Sequence, residues 1–134
     1  MKDFLRWIGV KQAAHETTSG IVFDERDIWW CKLGANVGYE VDGRGGSFER
    51  PVIIVKKFNL DTCLVIPLTT KPKKGKYYFS IGSASGREAV ANLSQLRLVD
   101  RRRLTQKTGV IAKPMFKALL AELVRVNFTY EDTV

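Results

Sequence analysis

The sequence is poor in the residues that bind metals or cross-link small domains. It contains two cysteines and one histidine in 134 residues. Cys31 and Cys63 make no disulfide framework. Both fall inside apolar runs that read as strands, where a buried, reduced thiol is expected. His15 stands alone and no Cys or His cluster has metal-ligand spacing, so neither a structural zinc site nor a cofactor is expected. Long hydrophobic runs are missing as well. No stretch is long enough to span a bilayer and the N-terminus shows no signal-peptide pattern, so a cytoplasmic protein without membrane contact is expected. The segment Gly43-Arg44-Gly45-Gly46 lacks the Gly-Lys-Ser/Thr of a P-loop and the strand–helix context that would make one. It reads instead as a flap that orders on a ligand, or as a plain flexible connection. No internal repeat appears.

What the chain has in excess is positive charge. Its 22 Lys and Arg against 14 Asp and Glu give a formal net charge of +8. That balance favours contact with a polyanion or an acidic protein and says little about fold. With 45% hydrophobic residues and three tryptophans, the chain can bury the core of one ordinary globular domain.

Three strands are predicted over residues 27–33, 51–57 and 62–68. Val52, Ile53, Ile54 and Val55 are consecutive β-branched residues, too short a run for a helix and suited to a strand buried on both faces. The run Cys63-Leu64-Val65-Ile66 has the same character. Strands so placed hold Arg50 and Thr69 beside the glycine-rich loop, a plausible site for phosphate chemistry. The basic loop Thr70-Lys71-Pro72-Lys73-Lys74-Gly75-Lys76 leads into a fourth strand at Tyr77, Tyr78, Phe79 and Ile81. Lysines beside tyrosines suit single-stranded nucleic acid, where cations follow phosphates and rings stack on bases; they equally suit a protected sheet edge.

A turn is expected over residues 82–86, then one long strand over 88–99, straight or bulged. Arg101-Arg102-Arg103 follows, as a nucleic-acid patch or a solvated loop. A short strand is expected around 108–111. Pro114 opens an amphipathic helix carrying Met115, Phe116, Leu119, Leu120, Leu123 and Val124. At the other end, Phe4, Leu5, Trp7, Ile8, Ala13 and Ala14 suggest a short helix that packs on the sheet, or that exposes Trp7 to a partner. The organisation expected is a helical extension over residues 1–20 and a barrel domain with its C-terminal helix over residues 21–134. The fold class is α+β, mainly β, with a small, strongly bent barrel-like sheet.

The order of Asp27-Ile28-Trp29-Trp30, Gly38-Tyr39-Glu40, Arg50-Pro51-Val52-Ile53 and Pro67-Leu68-Thr69-Thr70 resembles the PemK/MazF family. Asn92-Leu93-Ser94-Gln95-Leu96-Arg97 and Lys107-Thr108-Gly109-Val110-Ile111 stand in the family's later positions, so the likeness covers roughly residues 26 to 126. The resemblance implies an SH3-like barrel of the kind shared with the gyrase poison CcdB. It also implies a toxin of a bacterial toxin–antitoxin system that cleaves single-stranded mRNA without a metal, acts as a homodimer and is held by an acidic antitoxin.

By the same resemblance Arg50 is the catalytic arginine, Thr69 the catalytic hydroxyl and Glu40 a candidate general base. Guanidinium suits the first role, being always charged and forking onto phosphate oxygens. RNA contacts are expected at Arg44, Lys71, Lys73, Lys74, Lys76, Tyr77 and Gln95, the last either structural or RNA-contacting. Some relatives carry His at the position of Tyr39, and Arg and Asp at those of Asn92 and Ser94. Those departures leave open a non-catalytic binder of the same fold, either gyrase-poison-like or simply RNA-binding.

Overall fold

The computed structural model describes residues 1–18, 20–84 and 87–132, without the side chain of Ala84. Helix α1 (Phe4–Glu16) is followed by strands β1 (Asp27–Lys32), β2 (Glu49–Lys57), β3 (Thr62–Thr69), β4 (Tyr78–Ala84), β5 (Arg87–Asn92), β6 (Arg97–Asp100) and β7 (Leu104–Val110), and then by helix α2 (Lys113–Asn127). The strands form one antiparallel sheet in the order β4-β5-β3-β2-β1-β7, with β6 also on β3.

The run of β-branched residues in β2 lies between two cores, as a strand buried on both faces must. Ile53 and Val55 join Ile66, Leu68, Phe116, Leu119 and Leu123, which brings α2 onto that face. Val52 and Ile54 point the other way, into a cluster with Trp29, Cys31, Cys63, Val65, Val99 and Leu104. Val99 of β6 and Leu104 of β7 come from opposite ends of the path β7-β1-β2-β3-β6, yet share that cluster. Only a sheet curled nearly onto itself brings its edges together so. The bent, barrel-like sheet with a helix at each end is thus present.

Three sequence expectations need correction. The single strand over 88–99 is two strands separated by the 3-10 turn Leu93–Gln95. Both halves run along the same edge of β3, but the register changes between them. Leu68 faces Ala91, whereas Val65 faces Arg97 rather than Ser94, the residue an unbroken strand would put there. The turn absorbs the extra residues, so the split lets one strand serve both halves of the curl. The last strand is longer than expected and starts at Leu104, which fills the inner core. In α2, Val124 is exposed and Val126 is buried, because the stripe runs Leu119, Leu123, Val126 at helical spacing. The turn expected over 82–86 falls partly on Ser85 and Gly86, outside the described residues; Gly82 itself belongs to β4.

Helix α1 packs on the sheet. Trp7 is buried against Phe48 and Ala35 rather than exposed to a partner. Its indole lies so close to Gly34 that a Cβ built there would sit 2.1 Å from the ring, and Gly34 adopts φ +84°. Only glycine meets both demands. Cys31 and Cys63 are free and buried.

Candidate active site

The β2–β3 ladder sets the site's geometry. Val52 pairs with Pro67 and Ile53 with Ile66. The same register continued two residues sets Arg50 opposite Thr69. Both side chains line one cleft of about 350 Å³, together with Arg44, Lys71, Arg87, Thr70, Glu49 and Trp30. A second hollow, about 270 Å³, shares Arg44, Arg50, Thr69 and Lys71 and adds Lys73, Tyr39, Tyr78 and Asn92. The two form a continuous groove over the end of β3.

Arg50 is half-buried and held by main-chain carbonyls. Its Nε donates to the Asp42 carbonyl at 2.7 Å and its Nη1 to the Leu68 carbonyl at 3.4 Å. Neither Glu49 nor Glu40 pairs with it among the described residues. Burial, and then the like charge of Arg44, pull its pKa below the ordinary value against the opposing effect of Asp42. Guanidinium stays charged throughout the biological range regardless. Burial and Arg44 thus both disfavour the charge, and Asp42 offsets them only in part. The Nη2 end of the fork has no protein partner among the described residues and is the end free for an anion.

Thr69 accepts a hydrogen bond from the Lys71 N–H at 3.2 Å. That bond uses the oxygen as acceptor and leaves the hydroxyl hydrogen for a ligand. Glu49 faces the cleft, but its carboxylate is occupied by the hydroxyls of Thr105 and of Ser47, the latter at 2.9 Å. The side chains of Arg44, Lys71, Lys73 and Arg87 have no ion-pair or hydrogen-bond partner among the described residues.

The other predicted residues are distributed unevenly. Glu40 lies in a third hollow, with Gln95, Ser94, Asn36 and Arg97. There its Oε1 accepts from the Val37 N–H at 2.8 Å. Gln95 holds the loop that carries Glu40: its Oε1 accepts from the Val41 N–H and its Nε2 donates to the Tyr39 carbonyl. Lys74 and Lys76 line neither Arg50 hollow, and Lys76 sits over the half-buried Tyr77 ring at 5.0 Å. Ser94 is bonded to Asn92 at 3.0 Å.

The glycine-rich segment is folded back on its own backbone. Arg44 and Glu49 exchange main-chain hydrogen bonds, Gly43 N–H donates to the Gly34 carbonyl, and Asn36 bridges the Leu33 and Val41 carbonyls. The sequence did not point to Arg87, which lines the groove at the start of β5, or to Asp42, which lines neither hollow but whose carbonyl sets Arg50. Neither carries a local pattern that could have found it. Each matters only because the curl brings its strand or loop to Arg50. Among the described residues no group of three His, Cys, Asp or Glu side chains could hold a metal, and no helix is long and apolar enough to cross a membrane.

A sequence model of the PemK-like, MazF-like toxins of type II toxin–antitoxin systems matches residues 24–126. The chain belongs to this family. Solved structures show the same fold. MazF from Deinococcus radiodurans superposes with a TM-score of 0.64 at 17% identity, covering 79% of this chain and 96% of its own. An endoribonuclease from Mycobacterial species, solved in complex with its cognate antitoxin, gives 0.60 at 13% identity over 82% of this chain and 100% of its own. The Mycobacterium tuberculosis toxin MazF-mt6 gives 0.58 at 16% identity over 75% and 94%. At such identities the likeness is one of fold. No curated protein matches the chain by sequence. The PemK/MazF match begins after α1, so the helix buried through Trp7 stands outside the family segment.

Proposed function

We propose that this protein is a toxin that cleaves single-stranded RNA at short sequences, with the ribose 2′-OH as nucleophile. One observation carries the reading: Arg44, Arg50, Lys71, Lys73 and Arg87 converge beside two threonine hydroxyls, and the one carboxylate among them is already occupied. Arg44, Lys71, Lys73 and Arg87 are exposed and hydrated, and together with the half-buried Arg50 they set up a positive potential that draws a polyanion into the groove. A groove open along the end of β3 suits an unstacked strand, with Tyr39 and Tyr78 available for stacking.

In this reaction the 2′-oxygen attacks the adjacent phosphorus and the bond to the 5′-oxygen breaks. The 2′-OH proton passes to a base and the leaving oxygen takes up a proton. The products are a 2′,3′-cyclic phosphate and a free 5′-OH. Arg50 Nη2 and the Thr69 hydroxyl donate to the non-bridging oxygens, where charge grows. Lys71, Lys73 and Arg44 hold flanking phosphates. Glu40 serves as base, its side chain turning from the neighbouring hollow toward the groove so that its second carboxylate oxygen takes the proton while the loop stays in place. None of these steps calls on a metal. The acting form is a homodimer, and an acidic antitoxin segment competes with RNA for the same cations.

The position of Glu40, bonded to Val37 outside the Arg50 cleft, favours a second reading: a binder of the same fold that does no chemistry. The two separate in one assay. Antitoxin-free protein is incubated in EDTA with a long single-stranded RNA, beside Arg50→Ala, and the new ends are mapped. Discrete cuts with 5′-OH ends, lost in the variant, support the ribonuclease. Intact RNA retained by folded protein supports the binder.

A further inference from the structure

We infer that helix α1 is a strut that positions the Arg50 guanidinium, acting from outside the family segment through Lys2 and the 36–42 loop. The inference rests on the ribonuclease reading above for its catalytic consequence, but its structural content stands apart from it.

The chain of contacts is short. Lys2, just before α1, directs its ammonium group into the concave side of the loop. It donates to the Asn36 carbonyl at 2.5 Å and the Gly38 carbonyl at 2.9 Å, and it pairs with the Asp42 carboxylate at 3.0 Å. Three donors and no acceptor make an ammonium a natural plug for such a ring of oxygens. The same Asp42 carboxylate accepts from the Asn36 N–H at 2.6 Å, which closes the loop, and the Asp42 carbonyl accepts from Arg50 Nε. One residue thus links the strut to the arginine.

Helix α1 fixes where Lys2 stands. Asp3 caps the helix by accepting from the Arg6 N–H at 3.0 Å. Trp7 locks it down between Gly34 and Phe48, the two ends of the loop, with ring centroids of Trp7 and Phe48 5.5 Å apart. Phe48 is held at φ +56°, a conformation rare for a bulky residue, with its ring turned toward Trp7. Arg6 reaches the same segment from the helix, its guanidinium standing 2.8 Å from where a Gly46 Cβ would be. Loop 34–48 is therefore gripped at its ends by α1 and across its middle by Lys2 just before it, with Gln95 holding the 39–41 backbone from the other side. A guanidinium whose Nε is bonded to the loop can sweep its remaining donors across the cleft only if the loop yields.

Lys2→Met removes the ammonium while keeping the length of the side chain, and Lys2→Arg restores a charged donor. Two readouts are needed. The first is the exchange rate of the Arg50 Nε–H and of the 36–42 amides with solvent, measured by NMR on the free protein. The second is the steady-state cleavage of RNA. The expectation for Lys2→Met is faster exchange at Arg50 Nε–H and the loop amides, with thermal unfolding unchanged. Its kcat should fall roughly tenfold with KM within about twofold, since misplaced reacting groups weaken the transition state more than the ground state. Lys2→Arg should recover most of both.

Unchanged exchange at Arg50 Nε–H overturns the strut. Faster exchange with an unchanged kcat also overturns it, because the contact would then be structural only. If the unaltered protein cuts no RNA, the ribonuclease reading fails by itself, and the strut is judged on exchange alone.

Discussion

The molecule carries two dense clusters of arginine and lysine, and they are built in opposite ways. In the 3-10 turn Arg101–Arg103 every cation is committed within the protein. Arg101 pairs with Asp61 at 3.3 Å. Arg102 lies against both oxygens of Asp100, at 2.9 and 3.1 Å, and reaches the His15 carbonyl at the end of α1. Arg103 donates to the Lys32 carbonyl and covers the Trp7 ring at 5.7 Å. Around Arg50, by contrast, four further cations stand without partners among the described residues, and Arg50 itself leans on carbonyls. One cluster fastens a helix to a sheet. The other is left without counter-charge. In sequence the first is the more conspicuous, with three arginines in a row, and it is the weaker candidate for nucleic acid. What separates the two is the supply of acceptors in space, which a count of basic residues does not report.

That contrast is broken most directly by exchanging the two deficits. Arg50→Ala should lower RNA cleavage by about 10²–10³ while leaving the fold intact, because it removes a donor to charge that develops only in the transition state. Single-turnover cleavage and thermal unfolding, run on the same preparation, check both halves. Normal cleavage by the folded variant would remove Arg50 from the mechanism. Arg103→Met should do the reverse, costing about 2 kcal/mol of stability through the lost charged hydrogen bond and the uncovered Trp7, with no change in RNA affinity. Urea unfolding and filter binding separate the outcomes. A loss of RNA affinity would show that the triple arginine is a binding patch after all.

Much of the scaffold behind this contrast is legible in the chain. The β-branched run of β2 announces a strand with two buried faces, although it starts at Glu49, two residues before the Pro51 expected. The spacing of Phe116, Leu119 and Leu123 announces the face of α2. The curl is less legible. Whether residues 88–99 form one strand or two depends on how far β3 must bend, a property of the whole sheet and not of Leu93-Ser94-Gln95. The partnership of Arg50 with Asp42 is equally hidden, because it uses a main-chain carbonyl that any residue could supply. Glu40 shows the same limit from the other side: its place in the family's order is plain, but its rotamer and partner are set by the Val37 N–H and by Gln95 across the curl.

The fastened region also predicts a pH dependence. Burial pushes the Cys31 thiol up to about 12, although Arg103 and Arg97 act in the opposite direction. Burial likewise pushes Cys63 up to about 11. A raised folded-state pKa means that above the unfolded value of about 8.5 the unfolded chain loses a proton that the folded chain keeps. Stability from this source is therefore whole below about pH 8.5 and declines as the pH rises toward 11 and 12. The slope approaches about 1.4 kcal/mol per pH unit for each thiol. Urea midpoints between pH 8 and 11 should fall accordingly, and Cys31→Ala should flatten the fall while lowering stability at pH 8. A profile of equal steepness in that variant would assign the alkaline loss to other groups.

The smallest effect sharpens the comparison most, because it counts charges rather than testing single roles. Lys71 and Lys73 line the groove with no carboxylate to satisfy them. If each neutralises one RNA phosphate, replacing either with Gln should reduce the slope of log affinity against log salt by about 0.7, the value for a single strand. Affinity itself should change modestly, and equally for cleavable and uncleavable sequences, since phosphate contacts carry no sequence information. Arg101→Gln should leave the slope untouched, because its counter-charge is Asp61 and it releases no ion when RNA binds. A common slope for all three variants would mean that pairing inside the protein does not decide which cations meet RNA. A lowered slope for Lys71→Gln and Lys73→Gln alone would place the RNA backbone along the end of β3, on the side of the molecule where the arginines are left open.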